Sequence, residues 1–231
     1  MHKIRLISFV LITAFLAACQ SVPKSEGEIK EGGQFLEQNN REQYSSAAFT
    51  SVGEVRGKVS AWQLAGSFSY VDPEESGAGR IRWSFQGDLL DNLRLNDVID
   101  QERVRLIGPI GTGSVELVSK DNRASLISGN QTSNGVDAES LLFNLTGWRL
   151  PVSEMRYWLF GMPSPNASGK FWLNEQGQLQ TLQQSEWEIQ FDRYVVDPIL
   201  QQAVPKKITA VHRGNQAKVK LVIKSFAPAT E

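Results

Sequence analysis

The chain has 231 residues, a formal net charge of −1 and 41% apolar residues. That is enough for one sizeable hydrophobic core, and it argues against both wholesale disorder and the strongly basic footprint of a nucleic-acid binder. One cysteine, Cys19, and two histidines, His2 and His212, exclude an internal disulfide, a cysteine–histidine nucleophilic pair and a zinc cluster.

At the amino terminus, His2, Lys3 and Arg5 precede an apolar run from Leu6 to Leu16, too short to span a bilayer as a helix. Leu16-Ala17-Ala18-Cys19 then resembles the bacterial lipobox. The resemblance implies cleavage after Ala18, a diacylglyceryl group on the Cys19 sulfur and acylation of the new amino terminus. An ordinary secretory signal with a cysteine near the cut, or a chance apolar start, is the alternative reading of the same residues. Each buried methylene contributes about 0.8 kcal/mol, so several acyl chains hold a domain on a membrane far longer than one does. Gln20 follows the cysteine, whereas an Asp there resembles the enterobacterial signal for inner-membrane retention. The expected location is the outer membrane of a Gram-negative cell, with the domain facing the periplasm.

Residues 1–18 therefore read as a signal and residues 19–52 as a lipidated start and tether, rich in Ser, Glu, Gln, Asn and Gly. Within the tether, Phe35, Leu36, Tyr44 and Phe49 suit a short docking helix. The folded domain is expected over residues 53–231.

From Val55 the pattern turns to period two, broken by Gly, Asp, Asn and Pro, as antiparallel strands require. Trp62, Leu64, Phe68 and Tyr70 share one side, opposite Ser67 and Ser69. A turn over Asp72-Pro73-Glu74-Glu75-Ser76-Gly77 leads to Ile81, Trp83 and Phe85, alternating with Arg80, Arg82 and Ser84. Further strands are expected around Leu93 to Leu95, Val104 to Ile107, Val115 to Val118 and Ala124 to Ile127. Asp137 is placed to cap a helix through Leu141, Leu142, Leu145 and Trp148, interrupted at Leu150-Pro151. A second helix carries Val152, Met155, Trp158 and Leu159 and stops at Gly161, with Pro163 behind. Alternation resumes beyond Phe171, with Trp187, Ile189 and Phe191 and then Val219, Leu221 and Ile223 facing inward. His212 lies in a strand-like stretch and takes a strand-surface role, and no G-x-S-x-G elbow gives it a serine partner. One-sided strands favour a mainly β fold with some α: an incomplete antiparallel barrel, or strongly curved sheet, with a helical lid over a hydrophobic cavity.

Two further stretches carry a family resemblance. Gly108-Pro109-Ile110-Gly111 precedes the strand at Val115, and Thr146-Gly147-Trp148-Arg149-Leu150-Pro151 leads into Met155-Arg156-Tyr157-Trp158-Leu159-Phe160-Gly161-Met162-Pro163. With the lipobox, they resemble the LolB family of outer-membrane lipoprotein receptors over roughly residues 60 to 226, and the fold is similar to that of the soluble carrier LolA. The resemblance implies a receptor that takes triacylated lipoproteins from a LolA-like periplasmic carrier and inserts them among the phospholipids of the inner leaflet of the outer membrane. Neither covalent chemistry nor a cofactor or metal is implied, and a monomer is expected. Ile110, between Pro109 and Gly111, matches the exposed aliphatic residue of the family's membrane-delivery loop. It is Ile where Leu is usual, Gly108 precedes the proline where Asn is common, and the connection from Gln86 to Gln101 is longer.

For the cavity, the strands offer Phe68, Tyr70, Trp83, Phe85, Leu106 and Leu117, and the lid offers Leu142, Leu145, Trp158 and Leu159. Arg156 has two readings, a bond to a cargo carbonyl or an ion pair with Glu154 or Asp137. A scaffolding envelope lipoprotein with a filled interior is the alternative function. A hydrolase is disfavoured by the missing cysteine, the single histidine left after signal removal, and the absence of a carboxylate or glycine-rich motif.

Overall fold

The computed structural model describes residues 25–30, 34–37, 59–87, 101–109, 113–120, 123–164, 167 and 169–229. Cys19, Ile110 and Gly111, the strand expected at Leu93 to Leu95 and most of the expected tether lie outside the described residues.

One antiparallel sheet carries every described strand. In chain order the strands are β1 (Ser25–Lys30), β2 (Gln34–Glu37), β3 (Ala61–Val71), β4 (Ser76–Gln86), β5 (Gln101–Ile107), β6 (Ser114–Lys120), β7 (Arg123–Ser128) and β8 (Gln131–Gly135). Two helices follow, α1 (Ala138–Thr146) and α2 (Val152–Trp158). The chain then returns to the sheet as β9 (Gly169–Leu173), β10 (Leu179–Gln184), β11 (Trp187–Val196), β12 (Ala203–His212) and β13 (Lys218–Ala229). Across the sheet the order is β2-β1-β9-β10-β11-β12-β13-β3-β4-β5-β6-β7-β8. The last strand thus pairs with β3, joining the two halves of the domain, from Lys218 opposite Val71 to Ala229 opposite Ala61.

Period-two patterning decides the geometry. Along β3 and β4, Trp62, Leu64, Phe68, Tyr70, Ile81, Trp83 and Phe85 are buried on the inner face, while Gln63, Arg80, Arg82 and Gln86 face outward. The sheet curves around these side chains without closing, and the two helices lie against its concave face. The expected barrel is therefore an open one.

Three elements form where side-chain pattern gave no signal. The backbone of Ser25–Lys30 pairs with β9 and that of Gln34–Glu37 pairs with β1, so Phe35 and Leu36 lie in a strand rather than in the short helix expected there. β8 (QTSNG) has no apolar alternation. It follows a tight turn with Gly129 at φ 58° and pairs with β7 from Ser128–Gln131 to Ala124–Gly135. Unpaired amides and carbonyls along a sheet edge recruit whatever backbone the chain brings past, and polar residues on that last strand discourage further pairing.

Candidate functional site

The concave interior is a continuous apolar core to which sheet and lid both contribute. Phe68, Ile81, Trp83, Val104, Leu106 and Leu117 approach from the strands, and Leu142, Leu150, Val152 and Met155 approach from the lid. Between them remains an apolar cavity of about 20 Å³, about the room of one water. The interior is apolar as expected but nearly filled, because lid side chains occupy the space an acyl chain would need. Tyr70, Phe85, Trp158 and Leu159 are buried in the same core but do not line this residual cavity.

The lid holds together as a unit. Asp137 caps α1, accepting hydrogen bonds from the Glu139 and Ser140 amides, both at 3.1 Å, and from the Ser140 hydroxyl. Those bonds, the hydroxyl's first, hold its carboxyl below the usual range. Gly147, at φ 73°, ends the helix by donating its N–H to the Phe143 carbonyl at 2.7 Å. Glu139 bridges the helices by accepting from the Ser153 amide at 2.9 Å and its hydroxyl at 2.6 Å. The return segment between the helices docks on the sheet through Trp148. Its indole stacks on Tyr70 with centroids 5.4 Å apart and lies over Gly77, where any Cβ would strike the ring.

Tyr70 is fully buried, and its hydroxyl donates to Asp72 at 2.6 Å. Burial, reinforced by that bond to a carboxylate, pushes its pKa up to about 12. The folded state therefore keeps the proton more tightly than the unfolded chain, and this contribution is full below about pH 10 and lost as the pH climbs toward 12. In an absorbance titration of phenolate, subtracting the profile of Tyr70→Phe from that of the parent should leave one transition near pH 12. A difference transition near pH 10 would place the Tyr70 hydroxyl in water.

Among the described residues, one ionic contact crosses from lid to sheet inside the core. Arg156 of α2 donates from Nη2 to Glu102 Oε2 of β5 at 2.8 Å, and Trp83 Nε1 donates to Glu102 Oε1 at 3.0 Å. Glu102 and Arg156 are only 2% and 5% exposed. Burial pushes the Glu102 carboxyl upward, against the opposing pull of Arg156 and of the indole N–H. The match is incomplete: Arg156 Nε and Trp158 Nε1, both buried on the lid side, find no hydrogen-bond partner among the described residues. Each such orphan costs about 1–3 kcal/mol. The closed lid is thus held by a contact that is strong but not ideal.

The family model described as outer membrane lipoprotein LolB matches residues 60–226. The chain belongs to the LolB family. Outer-membrane lipoprotein LolB of Pseudomonas aeruginosa is 26% identical over 227 residues, covering 98% of this chain and 97% of that one. The LolB of Pseudomonas fluorescens is 29% identical over 174 residues, covering 74% and 76%. Among solved structures, a LolA superfamily protein from Nitrosomonas europaea aligns with a TM-score of 0.47 at 10% identity, covering 81% of this chain and 94% of that one. Like its relatives, this LolB-family chain is an outer-membrane lipoprotein.

Against the LolB pattern, the residues expected to matter fall into distinct places. The loop bearing Ile110 is described only at its base: Pro109 is exposed, and the Gly108 amide donates to the Gly113 carbonyl at 3.1 Å, pinching the loop where β5 and β6 meet. Leu145 corrects an expectation. It is 46% exposed, next to the last residue of α1, although it shares a helix face with the buried Leu142. Arg156 pairs with Glu102 rather than with Glu154 or Asp137. Glu102 itself was missed, since a Glu amid Gln101, Arg103 and Arg105 reads as surface. Its place opposite Phe85 on the inner side of β5 was the available signal, by parity with Val104 and Leu106. His212 has a structural role: Nδ1 accepts from the Gly214 and Asn215 amides at 3.1 and 3.2 Å, and Nε2 lies 3.4 Å from the Glu186 carboxylate.

Proposed function

We propose that this protein receives acylated lipoproteins from a LolA-like periplasmic carrier and inserts them into the inner leaflet of the outer membrane. The observation that carries this reading is an apolar concave interior closed by a two-helix lid that is tied to the sheet by the buried Glu102–Arg156 ion pair. Acyl chains released into water cost about 0.8 kcal/mol per methylene, so handover requires an apolar space that opens at the moment of transfer. With room for about one water in the closed interior, the lid has to lift, and the space Leu142, Leu150, Val152 and Met155 vacate becomes the cargo site. Cys19 is the acylated anchor in this reading, and Ile110, which matches the family's membrane-delivery residue, is the apolar contact with the bilayer at release.

A scaffolding lipoprotein would also have a filled interior. A permanently filled core, however, gains nothing from a buried ion pair, since apolar residues of similar volume are generally as stabilising or more so. The pair makes sense where closure must be specific and reversible. The deciding experiment mixes a soluble form beginning at residue 20 with carrier loaded with an acylated lipoprotein, alongside an unacylated cargo. Acyl-dependent transfer is expected. No transfer into a demonstrably folded domain would leave the scaffold reading.

A further inference from the structure

The convex face of the sheet carries a segregated charge that the lid and cavity do not use. The contiguous strands β12, β13, β3 and β4 contain no Asp or Glu. Their outward positions, continued by β5, present Lys218, Lys220 and Lys224, then Arg80 and Arg82, then Arg105, all exposed. None of these six forms a salt bridge among the described residues, and Arg105 reaches only the Ser114 hydroxyl at 3.4 Å. Carboxylates lie at the margins, where they pair: Asp192 with Lys207 at 2.7 Å on one flank and Glu116 with Arg103 at 3.0 Å on the other. At one end, the β3–β4 turn adds Asp72, Glu74 and Glu75. Because the whole chain has a net charge of −1, the face is a local concentration and not a reflection of overall composition.

Register makes the concentration costly. Arg82 stands directly opposite Arg105, and like charges in that position repel, while Glu116, opposite Arg105 on its other side, bonds Arg103 instead. With strands about 4.8 Å apart and about 3.3 Å of rise per residue, the six cations occupy a patch on the order of 15 by 20 Å. Between them lie Ser67, Ser69, Ala65 and Ala78, with Gln63 on the same face just beyond. These small side chains leave the ground between the cations flat and without the aromatic anchors that typify a specific protein interface. The same face ends in exposed Val71, opposite Lys218, and leads through Ile107, opposite Arg80, to exposed Pro109.

We infer that this face is a docking surface for anionic phospholipid headgroups, which lays the domain on the outer membrane with Val71 and Pro109 at its rim. A flat cationic sheet with apolar residues at its rim is what a headgroup layer recognises, and the chain already resides on that membrane. The inference needs only that residence. It holds or fails independently of cargo transfer.

The test uses the mature lipid-anchored protein carrying Gln63→Cys with a fluorophore on the convex face, reconstituted in vesicles with or without phosphatidylglycerol in phosphatidylcholine. Quenching by neutral acrylamide reports whether the face is covered. Shielding is expected on anionic vesicles at about 0.1 M salt and should vanish near 1 M, as the screening length drops from about 10 to about 3 Å. Each cation removed should weaken face-down association about five-fold. Arg80→Gln, Arg82→Gln, Lys218→Gln and Lys220→Gln together should abolish shielding with an unchanged melting temperature. Equal quenching on both vesicles, or shielding that survives the four substitutions, overturns the inference. Shielding that arises only when an acidic soluble protein is added overturns it too and assigns the face to a protein partner.

Discussion

Arg156→Met should destabilise the domain by about 3–5 kcal/mol in urea unfolding at neutral pH, because it leaves the Glu102 carboxylate buried without its cation. The deficit should shrink on acidification. Burial already pushes the Glu102 carboxyl upward, and without Arg156 it moves further, so the folded state binds that proton more tightly than the unfolded chain. The compensating stability is full below the ordinary carboxylate pKa and is lost as the pH rises through the raised one. Replacing both partners, Glu102→Met with Arg156→Met, should recover the loss caused by the unpaired charge, short of the parent only by the roughly 1–3 kcal/mol of leaving the buried Trp83 indole N–H without its acceptor. The functional outcome runs the other way. A lid sealed by methionines has no orphaned Arg156 Nε to relieve on opening, and acceptance of acylated cargo should slow well below the parental rate. A double variant as unstable as the single one would show that shape rather than charge pairing holds the lid. A stable double variant with unchanged acceptance would remove the pair from the gate.

What the sequence revealed and what it hid divide along the range of the interactions involved. Alternation of Trp62, Leu64, Phe68 and Tyr70 against polar neighbours is a local property, and so is the capping of α1 by Asp137. Both stood in the structure as read. The β1–β2 pairing and β8 were hidden because backbone bonding to an open sheet edge recruits segments whose side chains carry no period. Leu145 shares a face with Leu142 by helical angle, yet at the carboxyl end of a nine-residue helix it is left exposed, and where the packing ends is not a property of the local pattern. Arg156 and Glu102 are 54 residues apart. Nothing local says that these two charges meet under a lid, and each by itself looks like surface. Likewise the basic face exists only through strand order, which sets β13 beside β3 although the chain separates Val71 from Lys218 by most of the domain.

Ile110→Glu should leave acceptance of cargo from the carrier near its parental rate while delivery into phospholipid vesicles falls by about one to two orders of magnitude. That range corresponds to the roughly 1.5–3 kcal/mol that full burial of an isoleucine-sized side chain contributes, and a carboxylate facing headgroups replaces the gain with a penalty. The position makes the two steps separable. Ile110 lies in the span from Gly108 to Gly113, which the Gly108 amide and the Gly113 carbonyl close at its base, whereas the latch is inside the core at Glu102 and Arg156. Ile110→Leu should deliver normally, since it keeps the aliphatic volume. Flotation of vesicles after mixing with loaded receptor separates delivered from retained cargo. Delivery by the Glu variant equal to that of the parent would remove the loop from the release step. Loss of acceptance in the same variant would mean that loop and cavity are one coupled device, and that the apolar tip senses the lid as well as the membrane.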